Sequence, residues 1–490
     1  MKYYITTPLY YVNDIPHIGH AYTTIAADCI ARYKRLSGFD VLFITGTDEH
    51  GQKIEQSAKE KGISPQELSD TQSENFKSLW KKLNISYNDF IRTTSERHKK
   101  TAKYVFELIY KNGDIYQGQY SGNYCIPCES YCLKEKTCSG CGRDTTFLES
   151  PTYYFKLSKY KDSLLSYFKE NPGFIQPSFR CAEMENIVRD ELMDLSITRR
   201  NFKWGIPVST DDVIYVWFEA LTNYLTGAGF PDESQKFERY WPPDIHLVGK
   251  DILRFHTIIW PSMLMSCGLS LPKMVFGHGW WRIGGEKMSK SKGNVVSPSL
   301  LADDVGADCL RYFLLRDLPF GLDGDFSYEN LIQRLNSDLV NDLGNFVSRS
   351  LTMVNKYLSS IVPEKCDGGE LQQSAFDIIK NMDSYFDELR FHLYLEKIWA
   401  FINLCNRYID KEKPWQISDC ERLSSCLYRL LESIRLIALF ISPIMPETGE
   451  KILALLGNPP SKIEWAILEK GTQILPSIHL FTRKVGVAVS

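Results

Sequence analysis

A chain of 490 residues with 57 basic and 60 acidic side chains carries a net charge of −3, which excludes binding of nucleic acid or membrane by bulk positive charge. Its 43% apolar and 13% aromatic content suffices for two or three domains with large buried cores. A polyanion would have to meet local patches such as Arg97-His98-Lys99-Lys100 or Arg199-Arg200, runs that more often form solvated faces. The opening Met1-Lys2-Tyr3-Tyr4 resembles neither a secretory signal nor a transit peptide, and the longest apolar run, 436–445, is broken by Ser442 and Pro443, so no membrane association is expected. Thirteen cysteines without a secretory signal point to a reducing compartment, by default the cytoplasm, and to thiols or metal sites in place of disulfides.

In chain order, residues 3–7 read as a strand, 17–36 as an amphipathic helix whose first turn suits Pro16, 41–45 as a second strand, and the segment after Asp48 as a helix. Ser64-Pro65-Gln66-Glu67 is a capping box that opens a helix reaching about residue 83. Such βαβ alternation predicts a parallel sheet. Residues 113–150, rich in Gly, Cys and Tyr, interrupt it as an insertion. Alternation resumes with strands at 244–248 and 274–276 and a helix from Asp251. After about residue 327 the pattern is helical throughout, over 331–357, 371–411, 418–440 and from Pro446, which predicts an α-helical bundle.

Two short motifs carry chemistry. His17-Ile18-Gly19-His20 places two imidazoles at a predicted helix start, where unpaired N–H groups and the dipole attract phosphate, and Gly19 leaves room for a base or ribose. Lys287-Met288-Ser289-Lys290-Ser291, framed by Gly284-Gly285 and Gly293, is a basic loop between glycine hinges. Its ammonium groups can close on the growing charge of departing pyrophosphate. Either motif alone is weak, since a histidine pair at a helix start usually caps and a Lys-Ser run is usually solvated. Together they indicate one site for a nucleoside triphosphate. Cys125-Ile126-Pro127-Cys128 and Cys138-Ser139-Gly140-Cys141, nine residues apart, form a tetrathiolate zinc pattern with no open position. The alternative is a set of empty, reduced thiols, and Cys132 is a spare.

Thr6-Thr7-Pro8-Leu9-Tyr10-Tyr11-Val12-Asn13, the histidine motif, Thr45-Gly46-Thr47-Asp48-Glu49-His50-Gly51, Val248-Gly249-Lys250-Asp251-Ile252 and the lysine loop together resemble the methionyl-tRNA synthetases, class I aminoacyl-tRNA synthetases, along nearly the whole chain. The resemblance is to the bacterial-type form with one zinc knuckle and no C-terminal dimerisation domain. It implies an α/β fold in which a Rossmann-type parallel-sheet catalytic domain with a small zinc-knuckle insertion precedes an all-α anticodon-binding bundle. The divisions are 1–112 and 206–326 for the two catalytic halves, 113–150 for the knuckle, 151–205 for the rest of the insertion and 327–490 for the bundle.

The implied activity joins methionine to AMP from ATP, with Mg²⁺, and passes it to initiator and elongator tRNA. The resemblance assigns catalysis to His17, His20, Lys287 and Lys290, and ATP contacts to these with Gly19, Gly249, Asp251 and Ser289. It assigns the methionine pocket to Leu9, Tyr11, Asp48, Trp217, Tyr224, Ile252, His256 and Trp260, and anticodon reading to Asn345, Arg349 and Trp415. It places one structural Zn²⁺ on Cys125, Cys128, Cys138 and Cys141. A thioether suits an aromatic, nearly uncharged pocket, and Tyr11 or His256 could donate to its sulfur. Pro8 and Leu221 depart from the family pattern, where a small residue and a proline are frequent, and bear on pocket shape. Without an appended dimerisation domain a monomer is expected. The rival readings are another class I synthetase, disfavoured by the missing large editing insertion, and a non-catalytic tRNA-binding protein, disfavoured by the two intact motifs.

Overall fold

The computed structural model describes the chain except residues 14, 126–129, 133–135, 139–141, 201, 288–294 and 486–490. Two compact units form. One comprises Met1–Pro16, Gly38–Trp80 and Ser86–His278, and the other His17–Ser37, Lys81–Ile85 and Gly279–Ser490.

The first unit is built on a six-stranded sheet with strands β1 (Lys2–Tyr11), β2 (Asp40–Asp48), β3 (Asp89–Arg92), β4 (Ile175–Gln176), β5 (Ile245–Gly249) and β6 (Val275–His278). Their order is β3-β2-β1-β5-β6-β4, and every neighbouring pair is parallel. Continuous apolar runs such as Val41-Leu42-Phe43-Ile44 are buried on both faces, as parallel strands require. The order turns at β1, flanked by β2 and β5, and the crevice outside the carboxyl ends of such strands is where this fold binds ligands.

β1 runs four residues past the predicted end, to Tyr11, with a proline inside it. That is possible because the register with β2 shifts. Thr6 lies opposite Ile44 and Leu9 opposite Gly46, so Thr7 and Pro8 share a bulge and the proline needs no ladder hydrogen bond. Thr7 Oγ1 donates to Thr45 Oγ1 at 2.7 Å across it. The helix Pro65–Lys82 begins where predicted, with Ser64 Oγ accepting from the Glu67 N–H at 3.1 Å, one half of the expected capping box. The insertion is a long antiparallel hairpin, Ile115–Cys125 against Thr146–Phe155, in a four-stranded sheet with Ser130–Cys132 and Leu195–Ser196. After β5 the chain changes pitch twice, from a 3₁₀ turn at Lys250–Ile252 through a π-helical turn at Phe255–Ile259 to the α-helix Trp260–Ser266, where the sequence suggested one regular helix. Tyr4, Ile44, Phe106, Phe155, Phe218 and Trp260 belong to the core of this unit.

The second unit starts with the helix Ile18–Leu36, as predicted, except that His17 is its cap and Pro16 precedes the first turn. Asp28, buried in this helix, pairs with the equally buried Arg311 at 2.7 Å. Arg311 also donates to the carbonyls of Leu83, Pro443 and Ile444, so the buried guanidinium is well satisfied. At the other end of the helix, the Tyr33 ring stacks on Phe386 at 3.8 Å, its hydroxyl donates to Asp383 at 2.5 Å, and Lys34 pairs with Asp387 at 2.7 Å.

The bundle contains the helices Tyr328–Arg334 and Asn345–Leu358, joined by a π-helical stretch at Leu335–Gly344, then Gly369–Asp387, Phe391–Glu412, Cys420–Ile441 and Pro446–Leu455. The single helix expected over 371–411 is thus two. Leu389 turns left-handed, with φ 55°, and the Arg390 N–H bonds the Tyr385 carbonyl while the Leu389 N–H bonds that of Phe386. This is a Schellman ending with leucine where glycine is usual, and the leucine side chain is buried. Among the described residues no helix is long and apolar enough to cross a membrane.

Candidate active site

In the first unit, the strand ends and two short helices enclose a cleft of about 250 Å³, counting its open mouth, lined by Pro8, Leu9, Asp48, Trp217, Ala220, Leu221, Asn223, Tyr224 and His256. The bulge in β1 presents both Pro8 and Leu9 to it. Asp48 ends β2 and is 2% exposed. Val216–Ala220 and Asn223–Gly227 supply the aromatic and aliphatic wall.

Five residues predicted for an amino-acid pocket therefore meet here, namely Leu9, Asp48, Trp217, Tyr224 and His256. Tyr11, Ile252 and Trp260 stand one layer back. Tyr11 meets Trp217 edge-on at 6.2 Å, and Trp217 in turn stacks on Phe255 at 4.0 Å. Pro8 and Leu221, the two departures from the family pattern, line the cleft. Ala220 and Asn223 were not anticipated, because alanine offers no chemical signal and Asn223 turns its amide to the Ala220 carbonyl at 2.6 Å.

Hydrogen bonds fix the histidine tautomers. His256 Nδ1 faces the Ile252 carbonyl at 3.0 Å and must donate to it, so Nε2 accepts from the Tyr224 hydroxyl at 2.7 Å. His256 consequently has no N–H left for a sulfur, contrary to the expectation from sequence. Behind it His246 Nε2 accepts from Trp260 Nε1–H at 3.1 Å, which puts the proton on Nδ1, facing Thr6 Oγ1 at 2.7 Å. Burial pushes the His256 imidazole down to about 4 and that of His246 well below the ordinary range, the second histidine adding to the effect at His246, so both rings are neutral at physiological pH. Only Asp48 among the lining side chains carries a formal charge in that state.

In the second unit, the histidine motif caps its own helix. His17 Nδ1 accepts the Gly19 N–H at 3.1 Å and His20 Nδ1 accepts the His17 N–H at 3.2 Å, a reciprocal capping box made of imidazoles. Both rings therefore carry their proton on Nε2. They stack at 3.7 Å, and enclosure together with the adjacent His17 ring holds His20 well below its ordinary value. A Cβ on Gly19 would lie 2.9 Å from His17 Cε1, so any side chain at this position would crowd the imidazole. The Ile18 N–H bonds the Val296 carbonyl at 3.1 Å, which ties the start of this helix to the segment leaving the lysine loop. Lys287 ends a short strand paired with Trp281–Ile283, while Ser289 and Lys290 lie outside the described residues.

Gly249 caps the turn after β5 with Asp251 exposed beside it, and a Cβ on Gly249 would come within 2.7 Å of Asp251 Oδ1. In the insertion, Cys125 and Cys138 are buried. Around Cys138 the chain turns tightly, with the Cys138 N–H bonded to the Arg143 carbonyl and the Gly142 N–H to that of Cys138, both at 2.7 Å. Cys128 and Cys141 lie outside the described residues, among which no group of three or more metal-binding side chains occurs. In the bundle, Asn345 is exposed, and Arg349 donates to Asp410 at 2.7 Å on the helix that leads to Trp415, itself 48% exposed in the turn Pro414–Gln416.

The family described as tRNA synthetases class I (M) matches residues 3–135 and 127–351, and an anticodon-binding domain of tRNA ligases matches 371–475. The methionine–tRNA ligase of Caldanaerobacter subterraneus subsp. tengcongensis is 49% identical over 98% of this chain and 78% of its own length, and that of Clostridium tetani 50% identical over 92% and 73%. The solved structure of Mycobacterium tuberculosis methionyl-tRNA synthetase in complex with methionyl-adenylate is 43% identical, superposes with a TM-score of 0.95, and is covered for 99% of this chain and 100% of that one. The chain belongs to the methionyl-tRNA synthetase family, class I tRNA synthetases that ligate methionine to tRNA.

Proposed function

We propose that the cleft takes methionine and that the histidine helix start and lysine loop take ATP. The observation that carries this reading is the composition of the cleft. Apolar and aromatic walls around one buried carboxylate suit an amino acid with an uncharged, polarizable side chain, its ammonium paired with Asp48. The Tyr224 hydroxyl, oriented by neutral His256, keeps its proton directed away from the side chain and leaves the wall apolar. Tyr11, Ile252 and Trp260 hold the lining residues from behind.

In the first step a carboxylate oxygen of methionine attacks the α-phosphorus of ATP. The bond to the bridging oxygen of the β-phosphate breaks, and pyrophosphate departs with its electron pair. No protein nucleophile is needed, so the residues act by position and charge. His17 and His20 offer Nε2–H donors, Lys287 and Lys290 offer ammonium charge and Ser289 a hydroxyl, and Gly249 with Asp251 suits a ribose. Mg²⁺ accompanies ATP and shares the charge of its phosphates. In the second step a ribose hydroxyl at the 3′ end of the tRNA attacks the acyl carbon and AMP leaves. Asn345, Arg349 and Trp415 read the anticodon, the tryptophan by stacking on an unpaired base.

Cys125, Cys128, Cys138 and Cys141 hold one structural zinc. Two buried cysteines, one in a tight turn, and the thiolate-only donor set fit it. The catalytic halves are 1–112 and 206–326 with the insertion between them and the bundle from 327. The protein acts as a cytoplasmic monomer. Amino-acid-dependent exchange of pyrophosphate into ATP tests the reading. Exchange is expected with methionine and not with leucine, isoleucine, valine or cysteine, and exchange with another of these instead would overturn the pocket assignment.

A further inference from the structure

The strand end that bears Asp48 and the wall of the cleft are joined by a buried hydrogen-bonded pair. His50 follows Asp48 by two positions, and its Nδ1 lies 2.8 Å from Glu219 Oε1, with side chains 3% and 0% exposed. Glu219 belongs to the short helix Val216–Ala220, between the lining residues Trp217 and Ala220. A five-residue helix has little intrinsic stability, so its placement depends on such tertiary contacts.

The other side of this pair is firmly held. The His50 ring meets Trp204 edge-on at 5.5 Å, and Trp204 Nε1 donates to the Glu49 carbonyl at 2.5 Å. The Glu49 carboxylate, fully buried, accepts from Thr47 at 2.7 Å and from Arg92 Nε at 2.7 Å and Nη2 at 3.0 Å. The turn after β2 is therefore rigid, and the pair connects it to the helix.

Stability alone does not account for the pair. The second carboxylate oxygen, Glu219 Oε2, is buried without a hydrogen-bond partner. Burial pushes the Glu219 carboxyl above its ordinary range, and His50 only opposes that trend. A half-satisfied buried carboxylate is costly, and an apolar pair of similar volume would be the easier way to fill the space.

We propose that His50 and Glu219 are positioning residues for amino-acid recognition, their hydrogen bond setting the spacing between the Asp48 carboxylate and the Trp217–Leu221 wall. This rests on reading the cleft as the methionine pocket. The carboxylate fixes where the ammonium sits and the wall fixes how long a side chain can be, so the pair sets the length that the cleft accepts.

Pyrophosphate exchange by the full chain, with KM measured for methionine and for ATP separately, tests this. Glu219→Ala is expected to raise KM for methionine roughly tenfold to a hundredfold and to leave that for ATP unchanged. Glu219→Gln, whose amide oxygen still accepts from His50, is expected to recover most of the loss. An unchanged KM for methionine in Glu219→Ala, an equal rise in both KM values, or a Glu219→Gln variant no better than Glu219→Ala overturns the proposal. Asp48→Asn separates the two readings. If it leaves methionine binding intact the pocket reading fails, whereas if it weakens binding and Glu219→Ala does not, only the positioning role fails. Where Glu219→Ala does not fold, a double-mutant cycle of His50→Leu with Glu219→Leu, each of which removes the hydrogen bond, decides, non-additive effects on KM for methionine being expected and additive ones overturning the pair.

Discussion

Three histidines of the first unit, His98, His246 and His256, are at most 1% exposed and held neutral by their surroundings. Burial pushes His98 down to about 3 and His256 to about 4, and His246 well below its ordinary value. In the unfolded chain each would take up a proton near pH 6.5. Between roughly pH 6.5 and 4 the unfolded state thus binds more protons than the folded one, and stability falls as pH is lowered through that window, by up to about 1.4 kcal/mol per pH unit for each ring. Urea unfolding of the whole protein near pH 7 and near pH 5 should show the loss, and His256→Gln should reduce its slope by about one proton. A midpoint independent of pH would mean that these rings are charged in the fold. Much of this site is legible in the sequence at the level of residue type, since Asp48, Trp217, Tyr224 and His256 carry recognisable chemistry. The direction of each hydrogen bond is not, because it depends on which carbonyl faces which nitrogen. His256 looks like a donor to substrate on paper and is spent on Ile252 and Tyr224 in the fold.

At the scale of elements, periodicity located β1, β2, β5 and β6 and the long helices of the bundle, because apolar spacing is a local property, but it gave no strand at β3 or β4, which are only four and two residues long, and no helix at Glu96–Lys111. It missed the break at Leu389, where no glycine or proline marks the left-handed turn, and the two changes of pitch between Lys250 and Ser266, which aim Ile252, His256 and Trp260. The lysine loop allows a sharp prediction. Lys290→Ala is expected to slow adenylate formation by about a hundredfold to a thousandfold with little change in KM for methionine, measured in a single turnover. An unchanged rate would remove Lys290 from the chemistry. For the hairpin insertion, one equivalent of zinc per chain is expected by elemental analysis. Cys138→Ser should abolish it and increase proteolysis within 113–150, while the cleft proposed to take methionine, built from other elements, still binds methionine. Metal-free protein with an intact insertion would leave the four thiols as the empty set.

For the whole molecule, the division into compact units does not follow the division of labour. The helix that starts with His17 and His20 packs in the same unit as the anticodon-binding helices, through Asp28 with Arg311, Tyr33 with Phe386 and Asp383, and Lys34 with Asp387. A chain ending at about residue 358 would lose Asp383, Phe386, Asp387 and the carbonyls of Pro443 and Ile444, leaving a fully buried guanidinium short of partners at a cost of about 3–5 kcal/mol. Such a fragment is expected to lose pyrophosphate exchange although that reaction needs no tRNA. Retained exchange would show that the helix start is held without the bundle.

The same packing bears on how such a protein can be inherited. A boundary between trades is a natural place for genes to be cut and rejoined, yet here a donor bundle would have to bring acidic residues matching Tyr33 and Lys34 and two carbonyls for Arg311. Exchange of bundles between synthetases would then be filtered by the fit of one helix, long before any anticodon is read.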